Sequence, residues 1–316
     1  VTNCESRRAK GTGKFPRGLS ANGSALPTWV VDQVGQVITS GALPPIPNLV
    51  VGPETYNDGL NPYASGLQVS SSDDLRGVLH SFPPVADKTI TEYVATFLNG
   101  HQCSSDLYDG GGMVSSFMSS RAPAEILGSG ELDAFFNFSE LSSPGMDSNM
   151  PELYAAFGVE NLTGNSLKQA LQGPLGQAMI AAQAVSRGVS QTVSISLVNG
   201  IDHHDEDYST DHYPALYEAF DALTRLISYL KGRDLWKRTV LLVTSEFARM
   251  PKLNARGGRD HHLSNSCLVA GYGIQGGQVI GSTDNDEFML ETIDPETGEL
   301  LDALPPQLCC VAAARR

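Results

Sequence analysis

Val193-Ser-Ile-Ser-Leu-Val198, Tyr213 to Lys231, and Thr239-Val-Leu-Leu-Val-Thr244 decide how this chain is read. The first and third are short aliphatic, β-branched runs of the kind that form buried strands. Between them, apolar residues recur at helical spacing (Leu216, Phe220, Leu223, Ile227, Leu230), and Gly232 follows as a stop. Strand, helix, strand in this order predicts a βαβ unit, with the two strands parallel neighbours joined by a right-handed crossover. Cys267 to Ala270 adds a further apolar run before Gly271.

An acid and histidine cluster stands just beyond each strand. Gly200-Ile-Asp-His-His-Asp205 follows the first; Ser245-Glu-Phe247 and Gly258-Arg-Asp-His-His262 follow the second, and five of the seven histidines lie between residues 200 and 262. Ligands of open α/β sheets collect beyond the carboxyl ends of the strands. Parallel pairing would therefore put Asp202, His204 and Glu246 at one sheet edge, with the loop after Phe247 carrying Asp260, His261 and His262 back over it. Imidazole and carboxylate together are the donor set of a divalent transition metal. Each residue alone has a plainer reading: Asp as a turn former, Glu as a solvated strand end, His as a hydrogen-bonded structural residue. The repeated Asp-His-His around an intervening acid favours a metal site with Asp202, His204, Glu246, Asp260, His261 and His262 as candidate ligands. Successive side chains of an extended segment alternate, so adjacent histidines do not easily both face inward, and which member of each pair binds stays open. Arg249 and Arg259 are candidates for holding an anionic substrate in catalysis, or for offsetting the carboxylates. Asp205, Glu206, Asp207 and Asp211 read as surface residues, with His212 the candidate for a secondary role.

The 316 residues carry a formal net charge of -14, and 41% of them are hydrophobic. That length allows one large α/β domain or two smaller ones, and the chain is read as one: 1–190 irregular and helical, 191–285 the core bearing the motifs, 286–316 a tail. The acidic balance argues against nucleic acid as a partner, and no run approaches the ~18 apolar residues of a membrane span. Five scattered cysteines form no C-x-x-C pair. Glycosylation triplets begin at Asn22, Asn137 and Asn161. Leu26 to Gly35 reads as a helix with Pro27 in its first turn and Trp29, Val30 and Val34 on one face; Ile46 to Gly52 reads as a strand. Helical patterns run over Asp87 to Leu98 and over Ser166 to Arg187, the latter closed by Gly188. Val1 and Arg316 lack the marks of natural ends, and both are expected to be cuts. Gly271-Tyr-Gly-Ile-Gln-Gly276 fits G-x-G-x-x-G, but strand-like Gly277 to Gly281 follows it, which predicts a hairpin turn and not a nucleotide site. The motifs of serine hydrolases, zincins and P-loop proteins are lacking.

Asn199-Gly-Ile-Asp-His-His204, Thr244-Ser-Glu-Phe-Ala-Arg-Met-Pro251, Gly257-Gly-Arg-Asp-His-His262 and Gly271-Tyr-Gly-Ile-Gln-Gly-Gly-Gln-Val-Ile-Gly281 resemble the motifs of a widespread bacterial family. It is the domain of unknown function numbered fifteen-oh-one, grouped with the alkaline phosphatase and sulfatase superfamily. The resemblance is strong over residues 190–285 and looser at 26–35 and 47–67. It implies an alkaline phosphatase-like three-layer α/β sandwich with a largely parallel central sheet, and one or two divalent ions, zinc first, with manganese or calcium as the other candidates. The implied substrate is a small anionic phosphate or sulfate ester, and the implied location is periplasmic or secreted, often through twin-arginine export. Ile201 and His203 depart from the family's usual Trp and Thr. Family members usually open with a strand and a Gly-rich, Asp-containing loop that has no counterpart before Cys4, so no Ser or Thr is nominated as nucleophile. The expected activity is metal-dependent ester hydrolysis. The alternative is an exported non-catalytic binding or scaffold protein retaining the fold and a structural ion, and the superfamily's isomerases and phosphotransferases are a third possibility.

Overall fold

The computed structural model describes residues 24–37, 44–79, 132–205, 208–245, 247–262, 265–286, 288–294 and 297–300. They form two compact units that divide between Ile195 and Ser196. The helix expected over 87–98 lies outside the described residues.

In the unit ending at Ile195, three strands form a parallel sheet in the order β2-β1-β3: β1 Asn48–Val51, β2 Leu67–Val69 and β3 Thr192–Ile195. Leu49 pairs with Leu67 on one side and Val193 on the other. As the central strand, β1 is buried along its whole length, and apart from Asn48 it is aliphatic. Its two faces meet different partners. Leu49 and Val51 join a core with Leu75 and Leu79 of α2 (Ser72–Leu79), Phe136 and Ile180. Asn48 faces the other way, donating from Nδ2 to Thr28 Oγ1 at 3.3 Å and to the Ala64 carbonyl at 3.1 Å.

Thr28 belongs to α1 (Leu26–Val37), which bears out the expected helix but not its expected face. Thr28, Val31 and Asp32 are buried, whereas Val34 is exposed. The inward face is partly polar because its groups have partners: Asp32 Oδ1 accepts from the Asn61 N–H at 3.1 Å and Thr28 receives Asn48. Helix α3 (Asp133–Phe136) is tied to α2 by a two-point ion pair, Arg76 Nε to Asp133 Oδ1 at 2.8 Å and Nη2 to Oδ2 at 3.0 Å. Helix α4 (Met150–Phe157) buries Leu153, Tyr154 and Phe157.

The long helical pattern over 166–187 is two helices, α5 (Gly164–Gln172) and α6 (Pro174–Ser186). Pro174 lacks an N–H and disfavours α geometry at Gly173, so the helix breaks there and restarts with proline in its first turn. Every residue from Ala178 to Ala184 is buried, as befits a helix packed on several sides. It ends as expected at Gly188, whose φ of 67° belongs to the left-handed region. The Gly188 and Val189 N–H groups donate to the Val185 and Ala184 carbonyls, a Schellman closure. Of the glycosylation triplets, Asn137 is buried and donates to the Gly145 carbonyl at 3.2 Å, a structural role; Asn161 is exposed.

In the unit beginning at Ser196, a π turn (Tyr208–His212) leads into α7 (Tyr213–Gly232), which buries Ala219, Ala222, Leu223, Leu226, Tyr229 and Leu230. Strand β4 (Val240–Thr244) follows and pairs antiparallel with β7 (Cys267–Gly271). This corrects the expected βαβ unit. The order strand, helix, strand is present, but β3 pairs with β1 and β4 pairs with β7, so β3 and β4 are not ladder partners among the described residues. Chain order does not choose a strand's partner; the edge available to it does. Gly271 to Gly276 leaves β7 in a turn, and no helix follows it among the described residues. The strand-like reading of 277–281 is also corrected: no strand forms there, and Val279 is 96% exposed. No helix among the described residues is long and apolar enough to cross a membrane.

Candidate metal centre

Two segments build the cluster. One is the irregular stretch 201–204 with the bridge residue Asp205; the other is a hairpin-like loop closed by two short antiparallel strands, β5 (Ala248–Arg249) and β6 (His261–His262). The Met250 N–H extends that ladder to the Asp260 carbonyl at 2.9 Å, and Asp205 bridges to Gly257. The approach of the segments depends on Gly258, where an added Cβ would lie 2.0 Å from the His204 carbonyl carbon. Only a residue without a side chain fits.

Alternation sorts the paired histidines. His204 and His261 turn toward Asp202, while His203 and His262 are buried elsewhere. Asp202 Oδ1, His204 Nε2 and His261 Nε2 form a nearly equilateral triangle with sides of 3.1, 2.9 and 3.0 Å. Behind His204, Asp260 Oδ1 lies 2.9 Å from Nδ1. An ionised carboxylate only accepts, so the Nδ1 proton is assigned to His204 and its Nε2 presents a lone pair to the triangle. Phe247 stacks on the His261 ring at 3.8 Å between centroids, fixing its plane.

The charges agree with this arrangement. Hydrogen bonds from His261 and then Arg249 hold the Asp202 carboxyl down at about 2. Hydrogen bonds from His204 and then Asn254 lower that of Asp260. Arg249 Nη2 contacts Asp202 Oδ1 and donates to the Ile201 carbonyl at 3.2 Å, while Nη1 donates to the Arg259 carbonyl at 2.8 Å. Its side chain is only 11% exposed, so its guanidinium is largely committed to the cluster's own framework. Arg259 donates to the Met250 carbonyl at 3.0 Å and to that of Pro251.

Of the candidate ligands, the structure thus brings together Asp202, His204 and His261, sets Asp260 behind His204, and turns His262 away. Glu246 lies outside the described residues. His203 faces His212, Nδ1 to Nδ1 at 3.1 Å, and Tyr208 stacks on His212 with ring centroids 4.5 Å apart. Burial foremost, then nearby His203 and the two arginines, lowers the His212 pKa. Sequence reading overlooked Asn254, which donates from Nδ2 to the His204 carbonyl at 2.9 Å and to Asp260 Oδ1 at 3.1 Å. Its turn-forming setting, Asn254-Ala-Arg-Gly257, was the available signal.

The donor set suits a small divalent ion. Four tetrahedral ligands at ~2.0–2.1 Å, the zinc distances, stand about 3.3 Å apart, only a few tenths of an ångström wider than the observed triangle. A carboxylate bonded to the rear nitrogen of a ligating histidine is the usual support of such sites.

Fold and cluster together define an α/β protein with a solvent-facing triad able to hold a metal ion. The chain belongs to the family described as protein of unknown function (DUF1501), whose pattern matches residues 118–294. No curated protein and no solved structure matches it.

Proposed function

We propose that this protein is a metal-dependent hydrolase of phosphate or sulfate esters, exported from the cell. The observation that carries the reading is the near-equilateral triangle of Asp202, His204 and His261 donors with Asp260 fixed behind His204. The resemblance of its motifs to the alkaline phosphatase and sulfatase superfamily supports the same chemistry and the location. Asp202, His204 and His261 would hold one ion, zinc first and manganese or calcium after it; Glu246 and His262 remain candidates for a second. When bound, such an ion supplies Lewis-acid polarisation of an ester oxygen and a nucleophile at neutral pH.

The chain's own residues then have separable tasks. Asp260 keeps the Nδ1 proton on His204 and so points its Nε2 lone pair at the site. Arg249 offsets the Asp202 charge and ties Ile201 to Arg259, and Phe247 holds the His261 plane. An anionic ester would approach the solvent-facing triad, with Arg249, which contacts Asp202, as the adjacent cation and Arg259 as the other candidate for holding it.

A second reading is a binding or scaffold protein with a structural ion. It is favoured by the commitment of both arginines to backbone carbonyls, which leaves their guanidinium groups less available to an anion. Turnover separates the two. The purified protein should contain stoichiometric metal and hydrolyse an aryl phosphate, phosphodiester or aryl sulfate with zinc or manganese added, and Asp202→Ala should abolish this. Stoichiometric metal without turnover would favour the scaffold; hydrolysis unchanged in Asp202→Ala would sink the hydrolase site.

A further inference from the structure

Asn254 makes hydrogen bonds through both ends of its amide, and it divides them by chemistry. Its Oδ1 accepts from the Arg256 N–H at 2.9 Å and the Gly258 N–H at 3.1 Å, which closes the 254–258 turn. Its Nδ2 reaches out of that turn, to the His204 carbonyl at 2.9 Å and Asp260 Oδ1 at 3.1 Å. One side chain therefore joins the backbone of the first segment to the carboxylate of the second. Only an amide offers donor and acceptor at once in this geometry.

We infer that Asn254 is the positioning residue of the metal centre, its Nδ2 clamping Asp260 and the His204 backbone so that His204 Nε2 faces Asp202 and His261. The inference rests on the metal reading above, and it gives the site a supporting group outside its ligands. Asp260 Oδ1 receives two donors, the His204 Nδ1–H and Asn254 Nδ2. Without the second, the carboxylate can rotate about its last torsion, and the imidazole loses both its angle and its fixed tautomer. Support of this kind typically matters 10–100-fold in metal affinity.

The two ends of the amide can be tested separately. Asn254→Asp keeps an acceptor for the Arg256 and Gly258 amides but offers no donor to Asp260 or to the His204 carbonyl. Asn254→Ala removes both functions. Zinc titration of the full chain should show affinity about 10–100-fold weaker in both variants, while the melting temperature of metal-free protein falls mainly in Asn254→Ala. On metal-free, 15N-labelled protein, the His204 ring should show the Nδ1–H tautomer in the wild type and a mixture in Asn254→Asp. Asn254→Ser, whose uncharged hydroxyl can serve the turn but stops short of the position of Nδ2, reads the same loss if the aspartate variant unfolds. Wild-type affinity and tautomer in Asn254→Asp would reduce Asn254 to a turn former and overturn the inference. If the wild type itself takes up no zinc, the metal reading fails, and the tautomer comparison still decides whether Asn254 orients His204.

Discussion

Three side chains meet at one oxygen, Asp202 Oδ1: the Arg249 guanidinium and the Nε2 atoms of His204 and His261. Its carboxyl is held down at about 2, chiefly by His261 and then by Arg249. A depressed carboxyl contributes stability that is fully present above its ordinary value of ~3.9 and is lost as pH falls through the folded value. Metal-free Asp202→Asn should therefore show a flatter acid limb than the wild type between ~pH 4 and ~pH 2. Melting temperatures that fall in parallel across that window would remove Asp202 from the charge cluster. Much of the site was legible at this scale, because Asp-His-His is a dense and unusual donor pattern. The choice within each pair was not: it depends on which face of an extended segment meets its neighbour, as His261 meets Asp202 while His262 is buried. Asn254 escaped notice because its importance lies in partners 50 and 6 residues away.

Among the elements, the two clusters meet for a reason other than the expected one. Parallel pairing of β3 with β4 was to align their loops, yet β4 runs antiparallel to β7, and β3 completes a sheet with β1. The juxtaposition comes instead from the β5–β6 ladder and from the close passage of Gly258 beside His204. Strand and helix identity was readable from periodicity, as in β1, α1 and α7; partner choice was not, since an edge is selected by contacts distant in sequence. The buried face of α1 was misjudged because Thr28 and Asp32 are polar and only their hydrogen bonds make burial tolerable. Gly258→Ala tests the close passage directly. A Cβ placed 2.0 Å from one backbone atom and 2.2 Å from the next cannot be relieved by rotating a side chain. The expected cost is ~1–3 kcal/mol, read as a lower urea midpoint at unchanged m-value, together with weakened zinc binding. Unchanged midpoint and affinity would mean that the segments do not need this approach.

At the scale of the whole molecule, every donor of the triad comes from the unit that begins at Ser196, and the unit ending at Ile195 contributes a parallel sheet with its own core. A ligand that binds only the native site stabilises it by ~2.7 kcal/mol at a hundredfold excess over Kd. That energy appears in the exchange of those amides whose opening dismantles the site. Zinc should therefore slow hydrogen exchange most at 201–205 and 247–262, where the donors and the β5–β6 ladder lie. The amides of Asn48–Val51, held in the parallel sheet, should exchange as they do without metal as long as they open locally. Asp202→Asn supplies the control, because added zinc should leave its exchange unaltered throughout. Protection spread evenly over both units, or retained in Asp202→Asn, would show that the ion acts somewhere other than the triangle of Asp202, His204 and His261.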